Sequence, residues 1–236
     1  MRSEPAAIRA GLAGVRERIA RAAARSGRDP ATVRLIAVSK TFDADAVRAA
    51  ADAGQIDFGE NKVQEALQKM DRCADLPIRW HLVGHLQSNK AKKAGTRFDV
   101  VHSVDGADLV LKLDDAAALA GRSIELLVQV DLAGEITKYG AREEDLVSIF
   151  ATARTCQAVR LIGLMLLPPA AGSPDEARPY FRKLQQVRAR LLEGGVDPSM
   201  LRELSMGMSH DFEVAVEEGA TLVRLGTAIF GSRTYG

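Results

Sequence analysis

Lys40 closes the first long apolar run of the chain, Val33-Arg34-Leu35-Ile36-Ala37-Val38-Ser39-Lys40, and Arg224 interrupts the last, Leu222-Val223-Arg224-Leu225. A lysine at a buried strand end sits in a low-dielectric setting that disfavours its ammonium form. Its amine is then a candidate nucleophile for imine formation with a carbonyl compound. Strand position alone favours the plainer reading, a long side chain reaching past the strand end to water. An arginine inside an apolar strand is costly unless paired or used, and Glu60 or Asp131 is the expected ion-pair partner if its role is structural. Upstream of it runs Ser205-Met206-Gly207-Met208-Ser209-His210-Asp211, where Gly207 permits close backbone approach and Ser209 stands where a helix cap would stand. Gly226 and Thr227, just past the last run, add an amide and a hydroxyl.

Other polar positions carry weaker signals. Gly59-Glu60-Asn61 follows the second run and supplies polar groups. His81 alternates with apolar neighbours and reads as an interior histidine with its polar needs met, whereas His85, past Gly84, belongs at a rim. With His102 and His210 elsewhere, no histidine pair has metal-ligand spacing on a helix, so no metal site is expected. Two cysteines, Cys73 and Cys156, are too few for a disulfide framework and fit a reducing compartment.

The elements that must position these residues are legible as an alternation. Apolar runs at Val33–Val38, Ile56–Phe58, Trp80–Val83, Val100–Ser103, Ile124–Val130, Leu161–Leu166, Glu203–Ser205 and Leu222–Leu225 are separated by charged, Ala-rich segments of helical period. Continuous apolar strands of this kind are buried on both faces, as in a parallel sheet covered by helices. Asp43 can cap a helix through Ala46, Val47 and Ala50 that stops at Gly54, and Gly194-Gly195 ends one built on Tyr180, Leu184, Val187 and Leu191. No linker divides the 236 residues. The pattern predicts a single (β/α)8 TIM barrel over residues 1–236, with an open doubly wound sheet as the alternative. Ile8, Leu12, Val15 and Ile19 recur at helical spacing and predict an amphipathic helix over about 4–26, packed outside the barrel. The arginines of that segment, Arg2 to Arg28, are interrupted by Glu4 and Glu17, which argues against an organelle transit peptide.

Composition excludes several function classes. With 32 Lys+Arg against 31 Asp+Glu the net charge is +1, which leaves no electrostatic footprint for nucleic acid or an acidic membrane. No apolar run approaches the roughly 18 residues of a membrane span, so a soluble cytoplasmic protein is expected. Barrel chemistry sits at the carboxyl ends of the strands, and phosphate is commonly held by the loops after strands 7 and 8. Either small-residue loop alone reads as a cap or turn; together, at that position, Ser209, Gly226 and Thr227 predict phosphate binding.

Taken in order, several strings resemble the pyridoxal phosphate homeostasis protein family, whose barrel is similar to the N-terminal domain of alanine racemase. They are Ala37-Val38-Ser39-Lys40-Thr41, Phe58-Gly59-Glu60-Asn61 with Gln64-Glu65, Trp80-His81 and Gly84 through Lys90. Gly163-Leu164-Met165, Ser205 through Ser209 and Val223 through Gly231 complete the set, which spans nearly the whole chain. The resemblance implies that Lys40 holds pyridoxal 5′-phosphate (PLP) as a covalent aldimine and that Ser209, Gly226 and Thr227 bind its phosphate. It places Arg224 near the pyridine nitrogen, with Asn61 and Met165 lining the ring pocket. Phe42-Asp43 after Thr41 and His210 depart mildly from the family pattern, at the rim only.

A PLP-binding protein acting in vitamin B6 and amino-acid homeostasis is the expected function, with a PLP-dependent amino-acid racemase as the alternative. An arginine at the pyridine nitrogen disfavours ring protonation and weakens the ring as an electron sink, but alanine racemase is similar there, so the arginine alone does not separate the two readings. In the resembling racemases a tyrosine from a second domain of a partner subunit serves as the opposite base. The barrel is expected to occupy the chain through Tyr235-Gly236, leaving Tyr139, Tyr180 and Tyr235 as its only tyrosines. A third reading is a barrel for some other phosphorylated metabolite. PLP-dependent client enzymes are possible partners and a monomer is expected. A second PLP site at Lys138 or at Lys90, Lys92 and Lys93 stays open, although a solvated helix face suits the basic pair better.

Overall fold

The computed structural model describes residues 4–134, 139–170 and 172–231. Eight strands form a closed parallel barrel in sequence order: β1 Arg34–Val38, β2 Asp57–Glu60, β3 Arg79–Leu82, β4 Val100–Val104, β5 Ile124–Gln129, β6 Val159–Met165, β7 Glu203–Ser205 and β8 Leu222–Leu225. β8 closes on β1 in parallel, with Arg34 opposite Leu222 and Ala37 opposite Leu225. The open doubly wound alternative is thereby overturned, since a sheet with β1 bonded to both β2 and β8 has no edge.

Helices α1 Pro5–Arg25, α2 Ala44–Asp52, α3 Val63–Arg72, α4 Ala91–Arg97, α5 Ala107–Leu119, α6 Leu146–Ala153, α7 Arg178–Glu193, α8 Phe212–Glu217 and α9 Thr227–Phe230 connect and cover the strands. α1 starts on Pro5 and buries Ile8, Leu12, Val15 and Ile19. It lies against α8 and α9. Gly11 permits that approach, because a Cβ there would stand 2.7 Å from the Ile229 carbonyl oxygen. Arg18 pairs with Glu213 and Arg25 with Glu217 across the same seam. Asp43 caps α2 through the Ala46 N–H at 3.0 Å. In α7 the buried stripe is Phe181, Leu184, Val187 and Leu191, with Tyr180 only partly covered, one step from the expected face.

The core has two parts. A large layer fills the space between sheet and helices, while Ile36, Val100, Leu127, Ile162, Met165 and Leu222 pack inside the barrel. β6 and β7 lie too close for any side chain at Gly163, where a Cβ would fall 1.9 Å from the Glu203 carbonyl oxygen. β2 differs from its expected bounds, running on through Gly59 and Glu60. A carboxylate at a strand end looks like a loop residue until its buried partner is known. Among the described residues no helix is long and apolar enough to cross a membrane.

Candidate functional site

The chain around Lys40 is clamped from outside the barrel. Ser39 donates its N–H to the Gly59 carbonyl at 3.0 Å and its hydroxyl to Glu60 Oε1 at 2.6 Å. Lys69, on α3, donates to the same Glu60 oxygen and to the Ser39 carbonyl, both at 2.7 Å. Glu65, one turn earlier, lies 3.3 Å from Lys69 Nζ and accepts the Thr41 N–H at 2.6 Å. Thr41 sits at φ 71°, a left-handed conformation strained for a β-branched residue. The clamp therefore holds a costly turn directly after Lys40. Burial pushes the Glu60 carboxyl up, with Lys69 and Ser39 opposing, and its Oε2 has no protein partner. Lys40 itself is half-buried at the carboxyl end of β1.

Arg224 is 4% exposed. It donates from Nη1 to Ser205 Oγ at 2.6 Å and from Nη2 to the Leu166 carbonyl at 2.9 Å. The expected pairing with Glu60 or Asp131 is overturned. Glu60 is held by Lys69, and Asp131 accepts the N–H groups of Ala133 and Gly134 in a tight turn. Burial pushes the guanidinium down to about 10, opposed by Asp211. Asp211, itself buried, accepts the Met208 N–H at 2.7 Å and so shapes the loop after β7.

That loop meets the end of β8. The Arg224 N–H donates to the Gly207 carbonyl at 3.0 Å, and the Gly226 N–H points to Ser209 Oγ at 3.4 Å. Gly207 sits at φ 93° with no room for a side chain, since a Cβ would stand 2.6 Å from the Ala215 Cβ. Gly226 abuts β1, its virtual Cβ 3.0 Å from the Val38 carbonyl oxygen. Thr227 is exposed at the start of α9. The structure thus places the Ser209 hydroxyl and the Gly226 amide together, with Thr227 next in the chain, at the rim where β1 delivers Lys40.

Met165 is fully buried inside the barrel at the end of β6, one residue before the carbonyl that binds Arg224. Asn61 lines a neighbouring cleft of about 590 Å³ with Glu65, His85, Gln87 and Lys90. Gly84 packs on the Asn61 backbone, with space for no Cβ. His85 is at the rim as expected, its ring stacked on Tyr139 with centroids 3.4 Å apart. His81 is an interior histidine with both ring nitrogens engaged. Lys92 and Lys93 are exposed on α4, whereas Lys138, Tyr235 and Arg2 lie outside the described residues. Sequence reasoning missed Lys69, Glu65, Asp211 and the partners of His81. Lys69 carried a signal: it sits four residues after Glu65 on the buried face of an otherwise polar helix.

Chemically, this rim offers a primary amine on a rigid strand end, hydroxyl and amide donors for an anion, and a buried guanidinium fixed by two acceptors. A family model described as the alanine racemase N-terminal domain matches residues 11–234, which sets the class of barrel. Pyridoxal phosphate homeostasis protein of Pseudomonas aeruginosa is 43% identical over 225 residues, covering 95% of each chain. The protein of that name from Aquifex aeolicus is 41% identical, covering 95% of this chain and 97% of the relative. Among solved structures, PipY of Synechococcus elongatus with PLP bound superimposes with a TM-score of 0.82 at 42% identity, covering 95% of this chain and all of that one. The chain belongs to the pyridoxal phosphate homeostasis protein family.

Proposed function

We propose that this protein binds PLP and serves intracellular PLP homeostasis in the cytoplasm as a monomer, with little catalytic activity of its own. The observation that carries the reading is the convergence at one barrel rim of Lys40, the Ser209–Gly226 contact and the doubly anchored Arg224. The donor set fits the cofactor: an amine for its aldehyde, neutral donors for its phosphate and a guanidinium for its ring nitrogen. When bound, PLP supplies an aldehyde that condenses with a primary amine and a ring that withdraws electrons.

In this reading Lys40 provides the amine, and Ser209, Gly226 and Thr227 hold the phosphate. Asn61 and Met165 border the ring. Arg224 meets the pyridine nitrogen as a donor, which leaves that nitrogen unprotonated and the ring a weak electron sink. Storage and release need no strong sink. Racemisation can proceed on such a ring, as in the alanine racemases this barrel resembles, but it needs a base on each face of the substrate Cα. Among the described residues the tyrosines are Tyr139, stacked on His85, and Tyr180 on α7. PLP-dependent enzymes are the partners this function implies.

Two measurements test the proposal. Purified protein incubated with PLP is expected to acquire a visible absorbance band that survives gel filtration. Offered D- or L-alanine in deuterated water, the loaded protein is expected to exchange the α-proton far more slowly than about 1 s⁻¹, the low end of ordinary enzyme turnover. A colourless protein contradicts cofactor binding; exchange at enzyme-like rates contradicts the non-catalytic role.

A further inference from the structure

The interior of a (β/α)8 barrel is normally filled by layers of branched apolar side chains. Here a continuous polar chain crosses it. Asp57, on β2 at the amino-terminal end of the barrel, lies with Oδ1 2.8 Å from His81 Nε2. His81 Nδ1 lies 2.9 Å from His102 Nε2, and His102 Nδ1 lies 2.8 Å from Ser205 Oγ. Ser205 Oγ in turn accepts from Arg224 Nη1 at 2.6 Å. Both histidines are fully buried, Ser205 likewise, and five strands contribute one residue each.

The two ends dictate every proton between them. A carboxylate only accepts and a guanidinium only donates. Asp57 therefore takes the Nε2 proton of His81, which leaves Nδ1 of the neutral ring as an acceptor. That acceptor requires the Nε2 proton of His102, whose bare Nδ1 then takes the Ser205 hydroxyl proton. The freed lone pair of Ser205 receives Arg224. One arrangement satisfies every group, with all donors directed from Arg224 toward Asp57 and both rings neutral. Burial lowers the pKa of His81 against the opposing pull of Asp57, with Arg79 on β3 and Arg34 on β1 adding to the lowering; burial lowers that of His102 further, helped by His81, Arg224 on β8, Arg79 and Arg34. Asp57 is held ionised: burial raises its pKa, but His81, Arg34 and Arg79 outweigh that and lower it.

We propose that Asp57, His81, His102 and Ser205 are positioning residues for Arg224, a one-way hydrogen-bonded relay that fixes its guanidinium as a donor at the cofactor rim. The cofactor end of this inference rests on the PLP reading; the relay itself does not. A buried polar chain with one fully satisfied arrangement specifies geometry in a way an apolar filling cannot. Asp57 also lines a cavity of about 400 Å³ at the opposite end of the barrel, with Arg16, Arg34 and Gln55. The charge at that far end is therefore linked through four hydrogen bonds to the group that meets the pyridine nitrogen.

The first test uses nitrogen-15 NMR of the cofactor-free full chain. His81 and His102 are expected as neutral Nε2–H tautomers that do not titrate between about pH 5.5 and about pH 8.5, a range in which an ordinary histidine does. An Nδ1–H tautomer or a titrating ring at either position overturns the relay. The second test compares PLP-loaded wild type, Ser205→Ala and Ser205→Thr by visible absorbance against pH. Ser205→Ala is expected to move the band's pH midpoint by about half a unit or more, against the 1.36 kcal/mol that corresponds to one unit. Ser205→Thr, which keeps the hydroxyl, is expected to restore it. A folded Ser205→Ala protein with the wild-type midpoint overturns the proposal, because a filler of the barrel core would leave that midpoint alone. If wild type shows the expected tautomers but no band with PLP, the cofactor reading fails and the relay to Arg224 stands.

Discussion

Lys40→Ala protein, incubated with PLP and passed through gel filtration, is expected to emerge colourless, with cofactor retention down by about 100-fold or more. Loss of a covalent anchor removes well over the 1.4 kcal/mol that each tenfold in affinity represents. The proposed phosphate donors Ser209 and Gly226 and the guanidinium of Arg224 belong to β7, β8 and their loops, so weak, reversible binding should persist. The fold should persist too. Ser39, Glu60, Lys69 and Glu65 hold the strand end and the left-handed Thr41 through bonds that involve no Lys40 side-chain atom. Lys90→Ala, Lys92→Ala and Lys93→Ala proteins should keep the band. Melting curves beside the absorbance spectra separate loss of the anchor from loss of the fold. A Lys40→Ala protein as coloured as wild type would place the linkage elsewhere.

The second large effect is expected at Lys69. Its ammonium is 7% exposed and its partner Glu60 is fully buried. Lys69→Met removes one member of a buried pair and leaves the other uncompensated, a change that costs about 3–5 kcal/mol. The cost should depend on pH with a definite sign. Burial already raises the Glu60 pKa against the opposing pull of Lys69, so removing Lys69 raises it further. A folded carboxyl that holds its proton above the unfolded value of about 4.3 loses stability as pH rises. Urea unfolding should therefore show a larger deficit for Lys69→Met at about pH 8 than at about pH 5. Adding Glu60→Leu to Lys69→Met should recover much of the loss, since no buried charge then lacks a partner. Equal deficits at both pH values, or a loss below about 1 kcal/mol, would show that the pair does not brace the Lys40 turn.

These two results probe different layers of the molecule, and the layers were unequally legible in the sequence. The strands could be read because burial on both faces demands unbroken apolar runs, and all eight recur in the barrel. The rim loops could be read because Gly207 and Gly226 occupy positions where a Cβ collides with backbone or a neighbouring side chain. Partners across the barrel could not. Arg224 had several carboxylates to choose from in the sequence, yet it is bound by a hydroxyl and a carbonyl. Glu60 hid the end of β2 because its compensating charge is nine residues away on a helix. Asp57, His81 and His102 stand on separate strands, and only closure of the barrel turns three isolated polar residues into one chain. The one visible trace was His81 between apolar neighbours in β3, which marks an interior position without naming its partner.

A single measurement bears most directly on the central claim. Wild-type protein is loaded with PLP, reduced with borohydride to fix the imine as a stable amine, digested and mapped by mass spectrometry. The pyridoxyl mass is expected on the peptide bearing Lys40. Modification confined to other lysines, or none at all, would contradict the account.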